Sequence, residues 1–161
     1  MANPHSNFTV IDVTPTLSTD EYASGDIMFD RVEIPNAVLG NGGCSKLINV
    51  TYNSKKADDY TYIVYLMSND QTVGTANAAL GVSASNGAAA GMLGAVTLSN
   101  DHDLGSFATG GATKTGGFDS LNFLLQAADD STSVYFSAID RTGSIDFGAD
   151  DLEFIFHIEY R

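Results

Sequence analysis

The stretch Tyr60–Met67 (YTYIVYLM) decides the fold class, because a strand built from it is apolar on both faces. Side chains alternate across a strand, and only Thr61 interrupts the apolar residues here. A strand in a two-layer sandwich ordinarily turns one face to the core and the other to water. We therefore expect the second face to be covered, either by another segment of the chain or by a neighbouring subunit. The candidate residues of a subunit interface are Tyr60, Tyr62, Ile63, Tyr65 and Met67.

Strand patterns occupy much of the remaining chain, and no long amphipathic helix interrupts them. The other predicted strands are Phe8–Val13, Asp26–Ile34, Ser45–Tyr52, Ala95–Leu98, Phe118–Ala127, Ser133–Ile139 and Leu152–Tyr160. About eight strands separated by turn signals favour an all-β fold, an antiparallel β-sandwich with the jelly roll as its expected form. The strands on either side of the polar loop Asn53–Asp59 are expected to pair as an antiparallel hairpin.

The segment Ser68–Gly94 differs in composition, being rich in Ala, Gly, Ser and Asn. Ala78–Val82 is compatible with a weak strand, and Ser85–Leu93 (SNGAAAGML) with one or two helical turns capped by Ser85 or Asn86. Gly87 and Gly91 each cost such a helix about 1 kcal/mol. The glycine-rich residues from Ser99 to Gly117 are expected to be mainly loop.

The length of 161 residues suits one domain with its own core. We expect an N-terminal arm at residues 1–9 and a single β-sandwich domain at residues 10–161. The single Cys44 cannot form an internal disulfide, and is expected to be a small, buried or half-buried residue beside two glycines. The first ten residues contain no basic region or apolar run, so we expect no secretory signal. No stretch approaches the ~20 apolar residues of a membrane span.

Seven basic and twenty acidic residues give a net charge of −13. A surface this negative repels phosphate backbones, so we expect no nucleic-acid partner. The same charge opposes non-specific self-association. Any assembly therefore needs apolar contacts or bound cations that outweigh the repulsion.

The sequence lacks the motifs of hydrolases, zinc enzymes and nucleotide-binding loops, and we expect neither catalysis nor a cofactor. Asp101 and Asp103 begin a partial D-x-D-x-G calcium pattern, but the third ligand and the distal Glu are missing. They remain weak metal candidates. His157 lies between two glutamates on the last strand, and we expect it to be a partly exposed strand residue.

Several segments, most of them in the first half, resemble one family of viral proteins. They are Ile11–Leu17 (IDVTPTL), Tyr22–Asp26 (YASGD), Glu33–Val38 (EIPNAV) and Gly42–Gly43, followed by Asn69, Gly74–Ala79 (GTANAA) and Ser133–Tyr135 (SVY). In this order they resemble the capsid-associated decoration proteins of tailed bacteriophages, also called cement or auxiliary proteins. Ser85–Leu93 departs from the pattern, which has a short helix with larger polar residues there.

The resemblance implies a non-catalytic, all-β protein on the outside of an icosahedral head, made in the host cytoplasm and often a trimer. Its partner would be the major capsid protein, with no membrane or nucleic acid involved. Asn7, Phe8 and Thr9 are then the candidate capsid contacts, because an N-terminal arm suits strand addition onto a capsid edge. The leading alternative is a calcium-dependent carbohydrate-binding β-sandwich, and a hydrolase is the least supported reading.

Overall fold

The computed structural model of the protein describes residues 7–56, 60–99, 114–117 and 123–161. Its elements are β1 (Phe8–Val13), β2 (Ile27–Ile34), β3 (Cys44–Ser54), β4 (Thr61–Met67), α1 (Ala84–Ala90), β5 (Met92–Ser99), β6 (Lys114–Gly117), β7 (Phe123–Gln126), β8 (Val134–Asp140) and β9 (Leu152–Tyr160). The strand predicted over the last of these ranges is confirmed at both ends. The strand predicted at Phe8–Val13 is likewise confirmed at both ends. Every other predicted strand has a counterpart whose described ends are shifted by at most three residues, and residues 118–122 of the strand predicted at Phe118–Ala127 lie outside the described part of the chain.

The strands form two antiparallel sheets. Sheet 1 has the order β1-β9-β3, and both β6 and β7 pair with β3 along its other side. Sheet 2 has the order β2-β8-β4-β5. If β6 and β7 are counted as one interrupted strand, the first strand pairs with the last, the second with the next to last, and so on inward to β4 with β5. This nested pairing is that of a jelly roll, and it confirms the predicted antiparallel sandwich.

Aromatic rings fill the core between the two sheets. Tyr52 of β3 and Tyr62 of β4 meet edge to face, with ring centroids 4.9 Å apart. Phe29 of β2 and Phe154 of β9 meet in the same way at 5.8 Å. Such pairs contribute about 0.5–1.5 kcal/mol each beyond the area they bury.

The hairpin expected between β3 and β4 is wrong, because the two strands belong to different sheets and face each other across the core.

The Ala- and Gly-rich segment contains one real helix and no strand before β5. Ser83, rather than Ser85 or Asn86, caps α1 by accepting a hydrogen bond from the Asn86 amide. The weak strand expected at residues 78–82 is reduced to a single bridge between Asp26 and Ala79. Conversely, β6 lies where a loop was expected, since two of its four residues are glycines that carry no strand signal.

Within the described ranges, no helix combines the length and apolar character that crossing a bilayer requires.

Candidate interaction surface

The outer face of sheet 2 is covered by the chain itself. The cover segment, residues 68–90, folds back over this face and contributes the buried residues Val73 and Ala90, which pack against Met67 of β4. Its backbone is bonded to the strand below, since the Ile27 amide donates to the Ala78 carbonyl at 2.9 Å and the Asn77 amide donates to the Ile27 carbonyl at 2.7 Å. The two-faced apolar pattern of β4 is thus explained within one chain.

A small polar cluster fastens the cover segment to β2. Asp30 accepts a hydrogen bond from the Val73 amide at 2.9 Å and another from Arg31 at 2.7 Å, and Arg31 also bonds Asp70. Burial by itself raises the pKa of Asp30. The hydrogen bonds from Val73, Arg31 and Thr72 outweigh burial and hold that pKa below its ordinary value. The ionised carboxylate is therefore the form that holds the segment in place.

Three of the predicted subunit-interface residues are not available to a partner. Tyr60 and Tyr62 point into the sandwich and are buried in its core, and Met67 is buried beneath the cover segment. Their assignment to an interface is wrong, because the chain's own second sheet and its own cover segment occupy the space that a subunit was expected to fill. Ile63 and Tyr65 lie on the outer face and are half-buried.

The described residues form a small, open apolar pocket on the outer face of sheet 2. It has a volume of about 140 Å³ and is lined by Tyr65, Val73, Leu80, Val82 and Met92. Met92 is 41% exposed at its rim. A pocket of this size admits about one apolar side chain, which is far less than a stable subunit interface requires.

The edge strand of sheet 1 is β1, and its first residues were expected to belong to an N-terminal arm. Phe8 and Thr9 belong to β1 and pair with Glu159 and Ile158 of β9. The carbonyl of Asn7 accepts a hydrogen bond from the Tyr160 amide at 2.6 Å, which continues the ladder by one residue. The boundary expected after residue 9 is therefore wrong, and the sandwich includes residues 7–9. Residues 1–6 lie outside the described part of the chain.

The hydrogen bond at Asn7 fixes the direction of every backbone group along β1. In an antiparallel ladder, residues bonded to the partner strand alternate with residues whose N–H and C=O point away from it. The bonded pairs are therefore Asn7–Tyr160, Thr9–Ile158 and Ile11–Phe156. Val10 and Asp12 direct their N–H and C=O to the open side of β1. No partner for these groups occurs among the described residues.

Within the part of the chain that the structure describes, no bulge, proline, inward charge or covering loop blocks strand pairing at this edge, as such features usually do in sheet proteins. β1 pairs with β9 without a register shift, and Asp12 is its single charged residue. The edge strand of sheet 2 is different. β2 contains two register shifts in its pairing with β8, carries Asp30, Arg31 and Glu33, and lies against the cover segment.

Exposed apolar side chains lie at both ends of one row on the outer face of sheet 1. Phe8, Glu159, Lys46 and Leu124 form one row across four strands, with Phe8 62% and Leu124 59% exposed. The next row begins with Val10, which is 57% exposed, and continues with the half-buried His157. Lys46 and Glu159 lie 3.9 Å apart between the apolar ends of the first row.

The polar features elsewhere hold turns and loops. Asp140 is fully buried at the end of β8 and accepts hydrogen bonds from the amides of Thr142 at 3.0 Å and Gly143 at 2.5 Å. Burial raises the pKa of this carboxyl above its ordinary value even though these amides lower it. An open polar hollow of about 510 Å³ near Lys55 and Asp151 contains an ion pair of 4.0 Å.

The described residues contain no group of three or more His, Cys, Asp or Glu side chains placed to hold a metal ion. The weak calcium candidates Asp101 and Asp103 lie outside the described residues.

Sequence reasoning found β1 but did not single out Val10. A signal was present, because Phe8 and Val10 are apolar residues on the face of FTVIDV opposite to Ile11 and Val13. The Ala-rich cover segment gave no such signal, since its contacts use backbone groups and small side chains. No family model matches the chain, and a search of the curated proteins finds no match.

Proposed function

We propose that the protein is a virion structural protein that binds the exterior of an icosahedral phage head and stabilises it by clamping neighbouring capsid subunits. The observation that carries this proposal is the pair of apolar side chains Phe8 and Val10 on the outer face of β1, each more than half exposed. Exposed apolar clusters rimmed by polar side chains are typical of protein interaction sites. The outer face of sheet 2, by contrast, is covered in part by residues 68–90, which bury Met67.

The family resemblance supports the same surface. Its first segment, Ile11–Leu17, begins within β1 and continues past the end of the strand. The resemblance therefore includes part of the open edge. A decoration protein of this family has no catalytic task, and its partner is the major capsid protein.

Clamping follows from multivalency. A chain that contacts more than one capsid subunit turns the second contact into an intramolecular event, which raises the overall affinity without any single strong contact. The trimer that the resemblance implies belongs to the bound form in this proposal. Copies placed side by side by the capsid lattice meet at high local concentration, whereas free copies with a charge of −13 repel one another.

The test is to add the purified protein to phage heads that lack it and to measure co-sedimentation and the melting temperature of the heads. We expect saturable binding and a higher melting temperature. Heads that neither bind the protein nor melt later would overturn the proposal. A calorimetric titration with calcium and a glycan panel distinguishes the alternative function, because a carbohydrate-binding module would respond there and leave the heads unaffected.

A further inference from the structure

We propose that the open edge of β1 accepts one extended strand of another protein, which places an apolar side chain opposite Val10 and a lysine or arginine opposite Asp12. This inference deepens the proposed function and rests on it only for the identity of that protein as a capsid protein. The acceptor role reverses the direction expected from sequence, in which an arm of this chain was to be added to a capsid edge.

The backbone is the first reason. The N–H and C=O groups of Val10 and Asp12 point away from β9, and they have no partner among residues 7–56, 60–99, 114–117 and 123–161. An added strand satisfies such groups with the hydrogen bonds of a regular ladder, which is how extended peptides bind to sheet edges in general. A globular surface that approached from the side could not offer donors and acceptors at this spacing.

The contrast between the two sheet edges is the second reason. β2 has two register shifts and three charged residues, and the cover segment is bonded along it. β1 has no register shift and one charge. Since natural proteins generally block exposed strand edges, an edge that the described residues leave unblocked next to exposed apolar side chains indicates a site where pairing is used.

The side chains of β1 define the chemistry of the added strand. Directly opposed residues of an antiparallel pair share a face. Val10 is 57% exposed on the outer face, so it calls for an apolar residue opposite it. Asp12 lies on the same face, and its neighbour across the ladder is Ile155 rather than a cation. A basic residue opposite Asp12 gains an ion pair, and the net charge of −13 favours the approach of a basic segment.

Charge also argues against a second copy of this chain as the occupant. Since β1 contains no Lys or Arg, pairing it with β1 of a second copy sets no basic residue of that strand opposite Asp12. In the symmetric register centred on Val10, for example, Asp12 lies opposite Phe8. Each Asp12 then gains no cation, and two chains of charge −13 are brought together. An extended segment of a different, neutral or basic protein has neither disadvantage.

The probe is a displayed library of random peptides about ten residues long, which is enough to span β1. We expect enriched peptides to have apolar residues at every second position and a Lys or Arg two positions from one of them. Val10→Pro removes an N–H that points to the open side and leaves the bonds to β9 in place, so the variant should fold. We expect it to bind the enriched peptides at least about tenfold more weakly, because one hydrogen bond of the added strand is lost.

A second substitution, which changes only the side chain of Val10, tests the inference even if the proline variant misfolds. Val10→Lys should likewise weaken peptide binding, whereas Leu39→Lys, at a loop residue that is 62% exposed, adds the same charge away from the edge and should leave binding unchanged. Equal binding by wild type, Val10→Pro and Val10→Lys, or enrichment without alternation, would overturn the inference. So would a dimer that Val10→Lys dissociates, or peptide binding that appears only after deletion of residues 2–6. Because no heads are used, peptide binding that survives a failure to bind heads removes the proposed function alone.

Discussion

Gly87 and Gly91 lie one helical turn apart, yet the structure gives them opposite roles. Gly91 ends α1 in the left-handed conformation at φ +60, and an added Cβ would contact the side chains of Ser68 and Asn69. Gly87 lies inside the helix, where an added Cβ would have an ordinary contact with Val82 at 3.6 Å. The sequence alone assigned the same cost to both glycines. Only Gly87 fits that description, because Gly91 is a C-cap, a position that favours glycine.

We expect Gly91→Ala to lower the free energy of unfolding by about 1–2 kcal/mol, because alanine is strained in the left-handed region and its Cβ displaces Ser68. Gly87→Ala is the matched variant and should raise the free energy of unfolding by about 0.5–1 kcal/mol. Urea denaturation of the two variants beside wild type measures both. A stabilised Gly91→Ala would mean that α1 does not end as described.

Asp140 and Asp30 are predicted to give opposite dependences of stability on pH. The pKa of Asp140 is raised in the folded state, mainly by burial, so the folded protein holds this proton more tightly than the unfolded chain. Its contribution to stability is complete at low pH and is lost as pH rises through the folded-state pKa. The pKa of Asp30 is lowered because its hydrogen bonds outweigh burial. Its contribution is complete above the ordinary pKa of an aspartate and is lost as pH falls.

The measurement compares Asp140→Asn and Asp30→Asn with wild type from about pH 3 to pH 7. Relative to wild type, the stability of Asp140→Asn should improve as pH rises, and that of Asp30→Asn should worsen. The comparison uses slopes, so a constant loss of hydrogen bonding in either variant does not affect it. Parallel slopes in the two variants would contradict the environments described for the two carboxyls.

At the level of elements, the apolar pattern of β4 predicted a cover over both faces but not what supplies it. The inner face followed from alternation, because Tyr62 and Val64 recur at the spacing of a strand. The outer face is covered by residues 68–90, whose contacts come from backbone hydrogen bonds and from small residues such as Ala90. Neither leaves a periodic pattern in the sequence, so a second subunit was an equally good reading.

The same limit applies to β1. The pattern of Phe8–Val13 predicted the strand and both of its ends correctly. That the strand lies at an edge depends on its pairing with β9, almost the whole chain away. Edge position is a property of the sheet order rather than of a local segment, and the hydrogen-bonding direction of Val10 follows from it. The edge of β1 could therefore be identified as an interaction surface only from the structure.

The anchor of the cover segment gives a prediction at this scale. Asp30→Ala removes the acceptor of the Val73 amide and should speed hydrogen exchange of that amide, with a loss of about 1–2 kcal/mol in the free energy of unfolding. Asp70→Ala removes the other carboxylate bonded to Arg31, but that pair is exposed and should matter by less than about 0.5 kcal/mol. Equal effects of the two substitutions would show that Arg31, rather than the Asp30–Val73 bond, fastens the segment.

For the whole molecule, the net charge and the cover over sheet 2 both oppose association of free chains. The residues expected to join subunits are mostly buried within one chain, and the apolar pocket left near Met92 is about 140 Å³. Twenty acidic residues against seven basic ones add a repulsion that only salt reduces. The trimer was expected because a second subunit was to cover the outer face of β4, and that reason no longer applies to the free protein. Contacts between copies on a capsid lattice remain part of the proposed function.

We therefore expect analytical ultracentrifugation to find the mass of one chain at micromolar concentration, both at low salt and at about 1 M salt, where the Debye length falls to about 3 Å. High salt is the informative condition, because it removes the charge repulsion and leaves only apolar contact to drive association. A trimer present at both salt concentrations and dissociated by Met92→Lys would place a subunit interface on the outer face of sheet 2. A species of two chains that appears only at high salt and is abolished by Val10→Lys would instead assign the β1 edge to self-association. A single chain under both conditions leaves that edge free for a different protein, as the strand-acceptor proposal requires.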